Sequence, residues 1–295
     1  MILPRRPYRN TAHRFQVIVL GLAAIAIGAV AMAQTAALSV APAKDPVPLR
    51  FAAGGAFEFV TEINNAGSYI ANEGRRVTIA GAGLFKAEGG SVDWAIDVET
   101  VMIDGKSFAA RKPLSTIDLL TDANGYAAGH VVSFTGLAQV QKPLVPNSSL
   151  YLVVDRFSEA VVTGLAALPP RLPPGPVKTG DALADSTAQV RSALSRLYPD
   201  VEITKALAPL AMEGLALDGA KFVIVASLDD TLTARIKGTP VTIRVKARTV
   251  FDTLSGLPTI ATLNITGALQ HAEATGTVDY SITTRVTTRS IKRTL

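Results

Sequence analysis

The sequence predicts a mainly β, β-rich α+β protein. It reads as a large curved antiparallel sheet or open half-barrel, in two halves of similar build, with two helices in the middle of the chain. Three observations carry that expectation. Long stretches alternate apolar and polar residues with a period of two. Glycine-containing dipeptides of the hairpin type separate them. Only the centre of the chain shows the three-to-four spacing of an amphipathic helix, on either side of a proline-rich stretch.

Residues 1–33 stand apart from the rest. Arg5, Arg6, Arg9 and Arg14 make a basic start with no acidic residue, and residues 17–30 (VIVLGLAAIAIGAV) are uninterruptedly apolar. Ala31-Met32-Ala33 is a small-x-small ending, so the segment reads as a secretory signal peptide cleaved between Ala33 and Gln34. The competing reading is an uncleaved membrane anchor, because residues 15–33 approach the ~20 residues a span requires. The Ala/Gly-rich core and the cleavage signature favour processing. Arg5-Arg6 also suggests the twin-arginine route, although Pro7-Tyr8-Arg9 fits the rest of that signal poorly.

Residues 34–48 (QTAALSVAPAKDPVP) have the small, polar, proline-bearing composition of a flexible lead-in. Residues 49–167 form the N-terminal β half with one helix. Phe57-Glu58-Phe59-Val60-Thr61-Glu62-Ile63 alternates as a half-buried strand does, and residues 76–79, 92–102, 115–120 and 131–134 continue the pattern. Val92, Trp94, Ile96 and Val98 share one face of their strand, with Asp93, Asp97 and Glu99 opposite. Asp104-Gly105 and Asn124-Gly125 suit type I′ hairpin turns, whose two central residues need positive φ. Leu150, Val154, Phe157, Val161 and Leu165 then fall on one helical stripe.

Residues 168–181 (LPPRLPPGPVKTGD) hold five prolines in fourteen residues, which excludes both helix interior and central strand and marks a connector. Residues 182–295 form the C-terminal half. Asp181 is placed to cap a second helix ending near Leu197, with Leu183, Val190, Leu194 and Leu197 inward. Strands follow at 221–228, 232–236, 241–251, 259–266 and 276–288, with turns at Asp218-Gly219, Lys237-Gly238 and Ser255-Gly256. The halves share a frame: residues 125–136 (GYAAGHVVSFTG) and 256–267 (GLPTIATLNITG) both run from glycine through a strand to Thr-Gly. The basic residues Arg285, Arg289, Lys292 and Arg293 fit either a charged edge strand or contact with an anionic surface.

Composition limits the chemistry. The chain has no cysteine and three histidines, which excludes disulfides, thiol nucleophiles and Cys-ligated metal centres. The net charge of +5 falls to about +1 once the signal is removed, leaving 25 basic against 24 acidic residues, so no nucleic-acid partner is expected. An exported chain without cysteine suits a bacterial periplasm or cell envelope, and no transmembrane segment is expected after processing. No zinc, P-loop, dinucleotide or serine-hydrolase motif is present, and neither a cofactor nor a metal is expected. His130 and His271 stand alone in sequence, and Asp122-Ala123-Asn124-Gly125 lacks the remaining ligands of a calcium loop. The least poor catalytic candidates are Asp93 and Asp97, flanking Trp94, since two carboxylates held about 5–10 Å apart can hydrolyse a glycoside.

Around the connector, Pro173-Pro174-Gly175-Pro176-Val177-Lys178-Thr179-Gly180-Asp181 is similar to a P-V-K-x-G-D segment of uncharacterised secreted bacterial β-rich proteins. The likeness runs from Pro173 to the C-terminus and includes Asp218-Gly219 and Ser255-Gly256. An aromatic residue usually follows Gly-Asp in that pattern, whereas this chain has Ala182-Leu183. The resemblance implies fold and compartment and carries no known activity or site residue. The function expected from all this is a non-enzymatic periplasmic or envelope protein that binds a hydrophobic or envelope-derived ligand, or an envelope protein. The alternatives are a carboxylate-dependent hydrolase of envelope glycans and an outer-membrane β-barrel.

Overall fold

The computed structural model describes residues 38–50, 52–66, 76–88, 91–109, 113–121, 127–133, 176–184, 201–236, 238–271 and 274–289. The chain divides into two compact units, Met1–Leu38 and Ser39–Leu295. The expected signal segment belongs to the first and lies outside the described residues. All the strands belong to the second.

Those strands are β1 (Gly54–Asn65), β2 (Arg76–Glu88), β3 (Ser91–Ile103), β4 (Lys106–Ala109), β5 (Ser115–Thr121), β6 (Ala127–Ser133), β7 (Ala182–Ala184), β8 (Val201–Lys205), β9 (Leu210–Asp218), β10 (Lys221–Ile236), β11 (Thr239–Asp252), β12 (Pro258–His271) and β13 (Ala274–Arg289). They form one sheet in the order β6-β5-β3-β2-β1-β13-β12-β11-β10-β9-β7, with β4 also on β3 and β8 also on β10. Among the described residues, neighbouring strands such as β1 with β2 and β12 with β13 pair antiparallel. Two meanders therefore meet where β1 pairs with β13, Phe59 opposite Val286 and Ile63 opposite Ile282. Among the described residues the sheet is not closed; β6 and β7 are its ends.

The alternation seen in the sequence becomes a division between faces. Val92, Trp94, Ile96 and Val98 of β3 are buried, while Asp93, Asp97 and Glu99 are exposed. On β11, Val241, Ile243 and Val245 are buried and Thr242, Arg244 and Lys246 exposed. One continuous apolar core joins the buried face of β1–β3 to that of β9–β13. Across its middle runs a cross-strand row of small residues, Thr61, Thr284, Ala261, Thr249 and Ala226, all buried. The hydroxyls of Thr61 and Thr284 hydrogen-bond to each other at 3.0 Å, so neither is left unsatisfied in an apolar layer.

Local turn chemistry behaves as its residues require. Asp104 and Gly105 have φ of +47° and +83° and link Ile103 to its partner Lys106, the two-residue type I′ connection. The β9–β10 connection sits one residue later than the Asp218-Gly219 dipeptide suggests: Asp218 pairs with Lys221, and Gly219 and Ala220 form the loop. The Asn124-Gly125 turn lies outside the described residues.

Three expectations are corrected. Asp181 does not open a helix. Residues 178–181 form a turn closed by the Asp181 N–H donating to the Lys178 carbonyl at 3.0 Å, and Gly180 takes the positive φ (+93°) that a type II turn demands. The Asp181 carboxylate accepts from the Lys178 N–H instead of capping a helix, and Ala182–Ala184 continues as β7 against β9. Residues 185–197 of that expected helix, and all of the first one, lie outside the described residues.

The lead-in is not a free segment either. Ala41 and Leu215 exchange two backbone hydrogen bonds of 2.8 Å, Val47 and Val177 exchange another pair, and the Ala43 N–H donates to Thr179 Oγ1. Leu49, just past it, is buried in the core. The missing side chain of Gly214 on β9 lets the lead-in lie flat: the Ala41 carbonyl oxygen sits 2.1 Å from where a Cβ on Gly214 would be. Finally, β13 is an interior strand between β1 and β12, not an edge. Its many threonines suit a doubly paired strand, and Arg285 on it is half-buried, with burial lowering its pKa and the charge of Glu62 opposing that.

Candidate functional site

The antiparallel ladder brings one end of the long strands to a common edge: the start of β1, the end of β2, the β9–β10 hairpin, the β11–β12 turn and the end of β13. On the buried face near this end, Phe57 of β1, Phe85 of β2 and Trp94 of β3 form an aromatic cluster extended by Phe59. Trp94 lies edge-on to Phe57 at 5.8 Å between centroids and 5.6 Å from Phe85; Phe57 is 6.5 Å from Phe85 and 6.4 Å from Phe59. Residues two apart share a face of a strand, and facing partners on adjacent strands share it too, which is why four separate sequence positions converge.

Towards β9 and β10 the same face runs out into the open. Ile224 is fully buried, yet Phe222, two residues nearer the end of β10 and on the same face, is 61% exposed. Its cross-strand partner Leu217 is 57% exposed. The β11–β12 turn lies beside them: Thr253 Oγ1 donates to the Phe222 carbonyl at 2.9 Å, and Leu254 is 79% exposed. That turn is held by Asp252, whose buried carboxylate accepts from the Leu254 N–H and the Ser255 hydroxyl. The Ala52 N–H, just before β1, donates to the Ser255 carbonyl, and the Ala87 N–H donates to the Ala53 carbonyl. The rim is thus one hydrogen-bonded set of turns with an apolar interior on one side and exposed Leu and Phe side chains at its lip.

The carboxylates singled out in the sequence sit elsewhere. Asp93 and Asp97 are exposed on the reverse face of β3, opposite Lys86 and Ala82 of β2. Trp94 points away from them into the core at 3% exposure, so it is not available to stack on a sugar they might hold. Four residues along a strand also put their Cα atoms about 13 Å apart, beyond the carboxylate separations of glycoside hydrolysis. His130 stands opposite Leu119 and His271 opposite Ala274. Among the described residues no three His, Asp or Glu side chains gather closely enough to hold a metal ion. Asp122 and Asn124 lie outside the described residues, as do Ala33 and Gln34.

Charge on the exposed face is locally balanced. Arg244 forks onto Asp229 with two hydrogen bonds of 2.9 Å, Lys246 approaches the same carboxylate at 3.4 Å, and Arg248 lies 3.6 Å from Glu213. Those Arg244 hydrogen bonds, ahead of the neighbouring charges, hold Asp229 below the ordinary carboxylate range. Sequence reasoning overlooked Leu217, Phe222 and Leu254. A signal was there: Leu217 and Phe222 flank a tight turn where solubility would place polar residues.

No protein-family model matches the chain, and no curated protein matches it.

Proposed function

We propose that the chain is an exported, non-enzymatic protein of the bacterial periplasm or cell envelope whose apolar sheet face receives a hydrophobic or amphipathic ligand through the rim formed by Leu217, Phe222 and Leu254. The observation that carries this reading is the continuity between a buried apolar face and an exposed apolar lip at one end of the sheet. Isolated exposed apolar residues are ordinary, but a lip that continues a core is the pattern of a binding surface. In this reading the sheet is an open half-barrel built from two similar meanders, and it uses no cofactor.

Support for export comes from residues 1–33, and the connector's likeness to secreted β-rich proteins points the same way. A membrane barrel fits less well. Such a barrel turns its apolar face outward to lipid, whereas here the apolar residues of β3 and β11 are buried and the open face carries Asp93, Asp97, Arg244 and Lys246.

The single tryptophan makes the test direct. Trp94 lies within the aromatic cluster, so a ligand entering that face alters its emission. Titration with an anilinonaphthalene sulfonate probe, followed by competition with envelope lipid extracts, should give saturable binding, energy transfer from Trp94 and displacement. A linear, non-saturating response with unchanged Trp94 emission would refute the reading.

A further inference from the structure

Residues 39–48 lie against the edge of β9 and the 177–181 segment, and they are lightly held there. None of them is buried: Val40, Ala43 and Val47 are half-buried and the rest are exposed, whereas Leu49, the next residue, is only 3% exposed. Pro42, Pro46 and Pro48 have no N–H to donate, so few of the segment's backbone groups can join a ladder. Among the described residues its hydrogen bonds are the Ala41–Leu215 pair, the Val47–Val177 pair and the one from the Ala43 N–H to Thr179 Oγ1. The seat beneath it is specific. β7 covers β9 at Leu210 and Ala211, and the 178–181 turn takes up the N–H and carbonyl of Met212. Further along that edge the Leu215 N–H and carbonyl are taken up by Ala41, and Gly214, having no side chain, admits the Ala41 carbonyl.

We propose that residues 39–48 are a releasable strap, pivoting at Leu49, which occupies in cis a strand-accepting site on the β9 edge at Gly214 and Leu215. An open strand edge is a template for an extended segment. Here the site selects its occupant. The segment must offer an N–H and a carbonyl opposite Leu215 and bring its backbone close over Gly214, as the strap does at Ala41. Each of the strap's hydrogen bonds favours closure by about two- to tenfold. With so little surface buried, they are opposed by the chain entropy regained on release. The strap therefore opens as a unit while the ladders of β9–β13 stay formed. Opening frees the backbone groups of Leu215 and Val177, and an extended segment of the same pattern then takes the strap's place in trans. This device requires no ligand and is independent of the function proposed above.

The test follows the Leu215 amide by hydrogen exchange in the full-length chain. Its N–H donates to the Ala41 carbonyl at 2.8 Å, so it reports closure directly. In the unaltered chain this amide and that of Val177 should exchange about a hundredfold faster than the amides of the β10–β11 ladder, at a rate that low urea leaves unchanged. Exchange that rises with urea as steeply as the ladder's would mean that the strap opens only on global unfolding, and would overturn the proposal. Ala41→Pro removes the strap's donor to Leu215 and leaves the β9 seat intact, so it should speed Leu215 exchange about tenfold further. A synthetic peptide of residues 39–48, at the millimolar concentration that a tethered segment experiences, should then restore protection. The same peptide carrying Ala41→Pro should not. Unchanged exchange in the Ala41→Pro chain, no restoration by the first peptide, or equal restoration by both would each refute the site. Should the Ala41→Pro chain fail to fold, Val47→Pro, which removes the strap's donor to Val177, replaces it, with the Val177 amide as reporter.

Discussion

Replacing Gly81 with alanine should damage this sheet severely. Gly81 lies on β2 where the β2–β3 register shifts, between Ala80 and Gly81. A Cβ there would stand 1.9 Å from the carbonyl oxygen of Asp97 and 3.0 Å from a ring carbon of Phe59. The first distance is roughly 1.5 Å short of van der Waals contact. The obstacle is backbone of β3, so no rotamer change relieves it and the two strands must part. Loosening two ladder hydrogen bonds costs about 1–3 kcal/mol, and forcing an extra carbon into a packed layer costs about 1–3 kcal/mol. A loss of about 3 kcal/mol, or a fall in Tm of about 6–12 °C for a unit of this size, is expected. Circular dichroism of the strand band during heating, with urea melts to check the slope, measures it. Gly267→Ala is the control: its nearest neighbours would be at 3.1 and 3.4 Å, and it should cost less than about 1 kcal/mol. A Gly81→Ala protein melting within about 3 °C of wild type would show that the β2–β3 approach is wrong.

Three further outcomes are expected. Thr61→Val should destabilise by about 1–3 kcal/mol in urea melts because it strands the buried Thr284 hydroxyl, and Thr61→Val with Thr284→Val should cost less than the two single changes together; strict additivity would contradict the pair. Asp229 and Asp230 are held below their ordinary 3.8, the first by Arg244 and the second by the N–H groups of Ala208 and Thr231. Their contribution is present above that value and is lost as pH falls through the lower folded-state value, so the urea midpoints of wild type and Asp229→Asn or Asp230→Asn should converge below about pH 4; a constant gap in acid argues against it. Mass spectrometry of protein recovered from its native host should find an N-terminus at Gln34 or within a few residues, and an intact Met1 on membrane-extracted protein would show an anchor instead.

Local sequence was enough for most of the long strands, for their division into a wet and a dry face and for the Asp104-Gly105 turn, but not for β4, β7, β8 or β9. These depend on side-chain period and on φ preferences of adjacent residues, so Val92-Asp93-Trp94 suffices to send Trp94 inward and Asp93 outward wherever the strand lies. Only the tertiary structure decided which strands became neighbours. Backbone hydrogen bonds carry no side-chain identity. The pairing of β1 with β13, more than two hundred positions apart, and the docking of Ala41 on Leu215 therefore follow from how the whole chain closes on one core. The same holds for Ala182–Ala184, whose residues fit helix or strand locally and become β7 because the Lys178–Asp181 turn delivers them alongside β9. It holds also for the rim. Ile224 and Phe222 are both apolar and share one face of β10, yet one is buried and the other exposed, a difference set by position in the sheet that no local pattern encodes.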